Sequence, residues 1–258
     1  MDELLNTAVQ IARQAGAILR AGFGQARSAD DYKGGIELVT EYDQRSESLI
    51  LAGLQAAFPD HQILAEESGQ IDSSSSYCWV VDPLDGTVNF AHGVPGFAVS
   101  IGLRHAGKPL LGVVYDPLRD ELFAGQQGQL PTLNNQPIRV SAVTDLRRGL
   151  VATGFPYDKA SNPDNNSIYV VRALPKVQDL RRVGSAALDL SYVAAGRYAG
   201  YWELRLKPWD FAAGALLVQL AGGVITDLNG SDAWQQSGSV VCGNPIFQAQ
   251  LLKVLQAS

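Results

Sequence analysis

Residues 79–92, WVVDPLDGTVNFAH, constrain the fold more tightly than any other stretch of the chain. An apolar run, Trp79-Val80-Val81, ends abruptly at Asp82. Pro83 fixes the backbone and cannot donate to a sheet ladder, so the strand is expected to stop there. Asp85 follows, and Gly86 permits backbone conformations closed to other residues. Thr87 and Asn89 add polar groups. Two acids at the exit of a buried strand, separated by a rigid turn, make a candidate metal cradle.

Strands and helices intermix on either side. Leu4, Leu5, Ala8, Val9, Ala12, Ala15 and Leu19 recur at helical spacing over 3–22, and Gly22 and Gly24 stop that helix. The polar stretch 28–35, with Lys33, is either a solvated loop or one that closes over a site. Thr40-Glu41-Tyr42-Asp43 opens a second helix with a buried stripe at Leu49, Ile50, Leu54, Ala57 and Phe58. Thr40 with Asp43 fits a capping box, so Asp43 has a structural or a catalytic role. Ile63-Leu64-Ala65 reads as a short strand followed at once by Glu66-Glu67. Beyond the opening stretch, 97–104, 110–115 and 121–124 form an antiparallel meander, and Asn134-Asn135-Gln136 turns the chain.

The second half opens with a strand near 150–153, then a polar loop, a helix to about Leu174 and a short strand over 179–183. Gly184-Ser185 follows, with Ser185 placed to cap a helix that runs to Gly196. A strand over 198–204 carries Glu203. Lys207-Pro208-Trp209-Asp210 opens a helix that Gly222-Gly223 end. Strands at 224–226 and 240–241 and a helix from Asn244-Pro245 complete the chain. There is no repeat and no strict βαβ alternation. The expected class is α/β or α+β in layers, one unit with two lobes around a cleft.

Charge narrows the function classes. Net charge is −6 and no basic stretch exceeds a pair such as Arg147-Arg148 or Arg181-Arg182, so nucleic acid is not the expected ligand. An acidic protein that takes an anion needs metal ions to reverse the local field. The two cysteines, Cys78 and Cys242, lie in apolar runs and are expected to be buried free thiols, which suits a reducing compartment. The first residues do not resemble a signal peptide, and no run reaches the roughly 20 apolar residues of a membrane span. A soluble, cytoplasmic protein without a membrane partner is expected.

Glu66, Asp82 and Asp85 sit just past apolar strands, and Asp210 sits in the first turn of a helix. Singly, each has a structural explanation: a helix-dipole partner for Asp210, a turn former for Asp82 and Asp85. Together they form a carboxylate-rich, histidine-poor set that suits a hard cation, Mg²⁺ above all. His61, His92 and His105 lie far apart in sequence and make no zinc set. Gly86-Thr87 and Gly184-Ser185-Ala186 can each aim backbone N–H groups at an anion. No Walker motif is present. The combination points to phosphate-ester hydrolysis by metal-activated water.

Residues 82–90, DPLDGTVNF, resemble the D-P-[IL]-D-G-T-x-N-F signature of the inositol monophosphatases. Residues 209–214, WDFAAG, followed by Ala221-Gly222-Gly223, resemble the family's second signature. Glu66-Glu67-Ser68 is similar to its first metal-binding acid segment, and Leu38-Val39-Thr40 with Asp43 to its L-V-T-x-x-D segment. The resemblance implies a sugar-phosphatase fold, an αβαβα sandwich, in a likeness running from the first helix to the last. It implies two or three Mg²⁺ per site, lithium sensitivity and a homodimer.

Carried over by position, Glu66, Asp82, Asp85, Asp210 and the carbonyl of Leu84 bind metal. Glu66, Thr87 and Asp43 are the implied catalytic residues. Asp85, Gly86, Thr87, Gly184, Ser185, Ala186, Glu203 and Asp210 are the implied substrate contacts. Residues 1–140 are then the metal-binding lobe and 141–258 the substrate lobe. Lys33 falls where the family often has a lysine. Ala65 replaces a frequent Gly, and Ser185 a frequent Thr. Arg205 and Lys207, just past Glu203, favour a second anionic group or face solvent; solvent is the expectation.

The implied activity is hydrolysis of a small phosphorylated polyol or sugar, inositol monophosphate first. The alternatives are histidinol phosphate, a sugar phosphate, fructose 1,6-bisphosphate or an adenosine bisphosphate. A different class is a regulatory binding protein that keeps the fold and acts on a transcription complex.

Overall fold

The computed structural model describes residues 2–25, 31–33 and 37–257, with the side chains of 2, 31–33, 37 and 38 left out. Helix α1 (Asp2–Gly22) leads to a short hairpin, β1 (Asp31–Lys33) and β2 (Glu37–Val39), and to α2 (Glu41–Ala57). The hairpin corrects the expected loop over 28–35; 28–30, 34 and 35 and the Lys33 side chain lie outside the described residues. Next come β3 (Gln62–Ala65), β4 (Gly69–Ile71), β5 (Tyr77–Asp85) and the single-turn α3 (Thr87–Ala91). The meander follows as β6 (Ala98–His105), β7 (Lys108–Asp116) and β8 (Glu121–Gln126), with β9 (Thr132–Leu133) and β10 (Gln136–Pro137) as a closing hairpin. The second half holds β11 (Leu150–Thr153), α4 (Ser167–Ala173), β12 (Asp179–Arg181), α5 (Ala186–Ala194) and β13 (Gly200–Glu203). It ends with α6 (Pro208–Leu220), β14 (Val224–Thr226), α7 (Trp234–Ser237), β15 (Val240–Gly243) and α8 (Pro245–Gln256).

The strands form an eight-stranded sheet, β10-β9-β8-β7-β6-β5-β3-β4, and a five-stranded sheet, β12-β11-β13-β15-β14. Helices α1 and α2 cover the outer face of the first sheet, around Ile50, Leu54, Trp79 and Phe97. Helices α5 and α6 lie between the sheets, around Phe123, Leu190, Phe211 and Leu217. Helices α4 and α8 cover the second sheet's far face, around Trp202, Phe247 and Leu251. The layers run αβαβα, as expected.

The middle layer is close-packed because its facing residues are small. A Cβ placed on Gly112 of β7 would lie 2.6 Å from the Ala213 carbonyl oxygen, and one on Gly102 of β6 would lie 3.0 Å from the Ala212 Cβ. On the other flank of α6, a Cβ on Gly214 would lie 2.6 Å from the Leu190 Cβ of α5. The A-A-G run inside the second signature therefore lets α6 approach a sheet on one side and a helix on the other. That approach sets where Asp210, in its first turn, comes to rest.

Two local expectations change. Strand β5 does not stop at Asp82. It continues to Asp85 with its register against β6 broken between Asp82 and Asp85. Pro83 is accommodated at that irregularity, where no ladder hydrogen bond is needed from it. Cys242 is buried, but Cys78 is half-buried rather than enclosed.

Candidate active site

The irregular end of β5 is the centre of the site. Asp82 is buried, and its Oδ1 accepts the Leu84 N–H at 3.0 Å, which folds the turn back on itself. Asp85 spans the two halves of the molecule. Its Oδ2 accepts from Ser185 Oγ at 2.6 Å and from the Ala187 N–H at 2.7 Å, at the N-terminus of α5. Gly86 has φ +97°, and a Cβ there would come within 2.8 Å of the Gly96 carbonyl oxygen. Only glycine fits the backbone angle and the close approach together. Glu66 leaves the end of β3 with its N–H bonded to the Val81 carbonyl, which sets it beside the Asp82 turn. Asp210 Oδ2 accepts the Lys207 N–H at 2.6 Å and so closes the first turn of α6 while facing the same cavity.

Glu66, Asp82, Leu84, Asp85, Thr87 and Asp210 line one cavity of about 300 Å³. Burial raises Asp82 well above the usual carboxylate range, and Glu66, Asp85 and Asp210 raise it further by like charge. Asp210 is raised by burial and then by Asp85, and Asp85 is pushed up to about 6 by burial despite the bonds from Ser185 and the α5 backbone. Such a set is electrostatically frustrated when ionised, and a divalent cation relieves that frustration. As the side chains stand, no group of three among the described residues closes around a single point. Mg²⁺ takes few carboxylates directly and keeps several waters, so an acid-lined cavity with room for water fits it better than a closed cage would.

Helix α2 supports this turn from below. Asp43 caps α2 and also reaches Thr87. Its Oδ2 accepts from the Thr40 N–H at 2.8 Å and Thr40 Oγ1 at 2.6 Å, which completes the capping box. Its Oδ1 lies 2.9 Å from Thr87 Oγ1, which is also 2.9 Å from the Leu84 carbonyl oxygen. The single Thr87 hydrogen serves one of these acceptors at a time. Burial pushes Asp43 up to about 6, against the bonds from Thr40 and Thr87. Ser46 Oγ donates to the Pro83 carbonyl at 2.8 Å. Glu47 is buried, and its carboxylate accepts from the Glu67 N–H at 2.9 Å and from Ser68 Oγ. Ser46 and Glu47 were missed in the sequence. Their signal was available: Asp43, Ser46 and Glu47 are polar residues at i, i+3 and i+4 on a helix face that is buried.

A second recess of about 230 Å³ shares Asp85, Gly86, Thr87 and Asp210 with the first and continues to Gly184, Ser185, Ala186 and Glu203. The Gly86-Thr87 turn and the segment leading to Gly184-Ser185 meet through Asn89, whose Nδ2 donates to the Gly96 carbonyl at 2.6 Å and the Val183 carbonyl at 2.8 Å. All the expected site residues therefore converge. Lys207 is exposed to solvent as expected, whereas Arg205 is half-buried. Both line the cavity, and Arg205, in a left-handed conformation with φ +60°, pairs with Asp158 and lies 3.8 Å from Asp164. The loop carrying Tyr157 and Asp158 thereby becomes part of the rim, a feature with no periodicity to betray it.

Glu203 offers a measurable electrostatic signature. Burial pushes it up to about 7, while the Tyr201 hydroxyl lowers it and Asp85 raises it. A folded pKa above the unfolded value contributes stability that is full below about pH 4.5 and is lost as pH rises through about 7. In metal-free protein, thermal unfolding should therefore show a wild-type midpoint that falls from pH 6 to pH 8. Glu203→Gln should fall less steeply. Identical pH slopes for the two proteins would contradict this assignment.

A family model described as the inositol monophosphatase family matches residues 1–258. The chain belongs to the inositol monophosphatase family. Among curated relatives, the Escherichia coli K12 protein named Nus factor SuhB is 43% identical over 248 residues, 95% of this chain and 92% of that one. Among solved structures, the extragenic suppressor protein suhB from Bartonella henselae has a TM-score of 0.95 at 38% identity, covering 99% of both chains. An inositol monophosphatase from Anabaena (Nostoc) has a TM-score of 0.89 at 41% identity, covering 98% of this chain and 95% of that one. The αβαβα layers and the four signature segments are thus those of a phosphatase-type family. Relatives at similar identity carry either an enzyme's name or a Nus factor's name.

Proposed function

We propose that the protein is a Mg²⁺-dependent phosphomonoesterase acting on inositol monophosphate, to give inositol and phosphate. The observation that carries this is the convergence of mutually repelling acids Glu66, Asp82, Asp85 and Asp210 on one cavity that opens onto the Gly184–Glu203 wall. Glu66, Asp82, Asp85, Asp210 and the Leu84 carbonyl would hold two or three Mg²⁺. When bound, the metal supplies Lewis-acid activation of water and neutralises charge on the phosphoryl and leaving oxygens.

The chain's own residues do the positioning. Gly86 and Thr87 open α3 and present backbone N–H groups to the phosphate. Thr87 Oγ1, with its hydrogen given to Asp43, turns lone pairs towards the water that attacks in line. Above about pH 6 Asp43 is ionised and able to accept that hydrogen. Gly184, Ser185, Ala186 and Glu203 face the alcohol. In this scheme residues 1–140 form the metal-binding lobe, with Asp210 contributed across the cleft, and 141–258 form the substrate lobe. A homodimer in the cytoplasm completes the proposal. No helix among the described residues is long and apolar enough to cross a membrane.

A phosphate-release panel tests the assignment. Inositol 1-phosphate should be hydrolysed fastest, ahead of histidinol phosphate, glucose 1-phosphate, fructose 1,6-bisphosphate and adenosine 3′,5′-bisphosphate. EDTA should abolish release and Li⁺ should inhibit it. Release that survives EDTA, or a different preferred ester, would overturn the metal or the substrate assignment respectively. A second reading, a regulatory role, is favoured by the Nus factor name of the relatives. Full cellular function of a Glu66→Gln protein devoid of phosphatase activity would favour it.

A further inference from the structure

Gly154 follows directly on β11 and is buried, yet its φ lies outside the left-handed region. Its backbone would accept alanine. What excludes a side chain is Glu203: a Cβ on Gly154 would lie 2.1 Å from Oε1 and 2.2 Å from Cδ and Oε2. The Glu203 carboxyl occupies the space that any residue larger than glycine needs.

The surrounding hydrogen bonds hold this arrangement. Strands β11 and β13 are parallel neighbours with Thr153 opposite Trp202, so Gly154 and Glu203 follow on as adjacent positions. Thr153 Oγ1 donates to the Trp202 carbonyl at 2.8 Å. Asn166, fully buried and at φ +75°, donates through Nδ2 to Thr153 Oγ1 at 2.8 Å and to the Gly154 carbonyl. Its Oδ1 accepts the Trp202 indole N–H at 2.7 Å. One amide thus ties the end of β11 to the residue preceding Glu203. From the other side, the buried Tyr201 hydroxyl donates to Glu203 Oε2 at 2.5 Å. A glutamate side chain has several free torsions, and here both its berth and its partner are fixed.

We infer that Gly154, Asn166 and Tyr201 are positioning residues that hold the Glu203 carboxyl at one place on the substrate wall, where it accepts a hydroxyl of the alcohol part of the ester. The inference rests on the proposed contact between Glu203 and substrate. Gly154 is then a determinant of selectivity for polyhydroxylated esters, not merely a bend between a strand and a loop.

Steady-state hydrolysis of inositol 1-phosphate by wild type, Glu203→Gln, Gly154→Ala and the double variant tests it. Gly154→Ala should raise KM by about tenfold or more, the cost of a displaced charged hydrogen-bond partner, with kcat changed by less than about threefold. Combined with Glu203→Gln it should add no further increase, because the displaced group is already impaired. A rise in KM for Glu203→Gln but not for Gly154→Ala overturns the positioning role, and so do fully additive effects. An unchanged KM for Glu203→Gln overturns the underlying contact instead, and the inference with it. Should Gly154→Ala fail to fold, Tyr201→Phe removes the opposite restraint without changing shape. It should raise KM in the same way, and an unchanged KM in that variant overturns the inference.

Discussion

Asp85→Asn is expected to lower Mg²⁺-dependent phosphate release by roughly 10³-fold, several kcal/mol of transition-state stabilisation, while the fold survives. The substitution removes one ligand charge and almost no volume. The amide oxygen of asparagine can still accept from Ser185 Oγ and the Ala187 N–H, which now bond Asp85 Oδ2. The clamp between the end of β5 and the start of α5 therefore persists. The charge removed is also one that raises Asp82, Asp210 and Glu203. Metal-free Asp85→Asn protein should unfold at a temperature equal to or above that of metal-free wild type. The wild type, in turn, should gain far more from added Mg²⁺ than the variant does. Retained turnover would remove Asp85 from the metal set. A large loss of stability without metal would mean that its main task is structural.

Gly112→Val should strongly destabilise the packing of α6 on the first sheet. Even the first side-chain atom at this position would come 2.6 Å from the Ala213 carbonyl oxygen and 2.9 Å from its Cα, both backbone of α6. A flexible neighbour could yield, but a helix backbone can only translate. Gly112→Ala should cost roughly 1–3 kcal/mol by overpacking, and valine more. At roughly 2–4 °C per kcal/mol for a chain of this size, calorimetry will resolve the difference. Because Asp210 rides on the first turn of α6, the displacement should also reduce phosphate release in whatever fraction remains folded. A Gly112→Val protein with a wild-type melting temperature would show that the helix does not lean on the sheet this closely.

The two outcomes separate what the first and second signatures do. Residues 82–90 contribute groups that face the cavity. Residues 209–214 contribute Trp209 and Asp210 to the cavity wall, and Ala212, Ala213 and Gly214, whose small size lets α6 bring Asp210 there. The same distinction explains which features are legible in the sequence. Long helices and strands are, because periodicity over many residues reports burial. The single turn α3, the two-residue strands β9 and β10 and the hairpin β1–β2 are not, because so few residues carry no period. Pro83 was read as the end of a strand. The strand in fact passes through it, since a break in register frees proline from donating.

Local chemistry was sufficient to mark the acids. Carboxylates beside strand ends and a glycine-opened turn carry their meaning in the residue types themselves, and Glu66, Asp82, Asp85 and Asp210 were named from those alone. Partnership was another matter. That Asp43 both caps α2 and meets Thr87, that Glu47 holds the turn at Glu67, that Arg205 secures the rim through Asp158, and that the Glu203 carboxyl fills the space over Gly154 all depend on contacts between residues distant in the chain. Side chains interact over a few ångströms, and sequence separation says nothing about which remote backbone will supply the neighbour. The sequence by itself therefore determined the layered fold and the acids that line the cavity. Only the packing of α2, α6 and the two sheets decided how each of those groups is held.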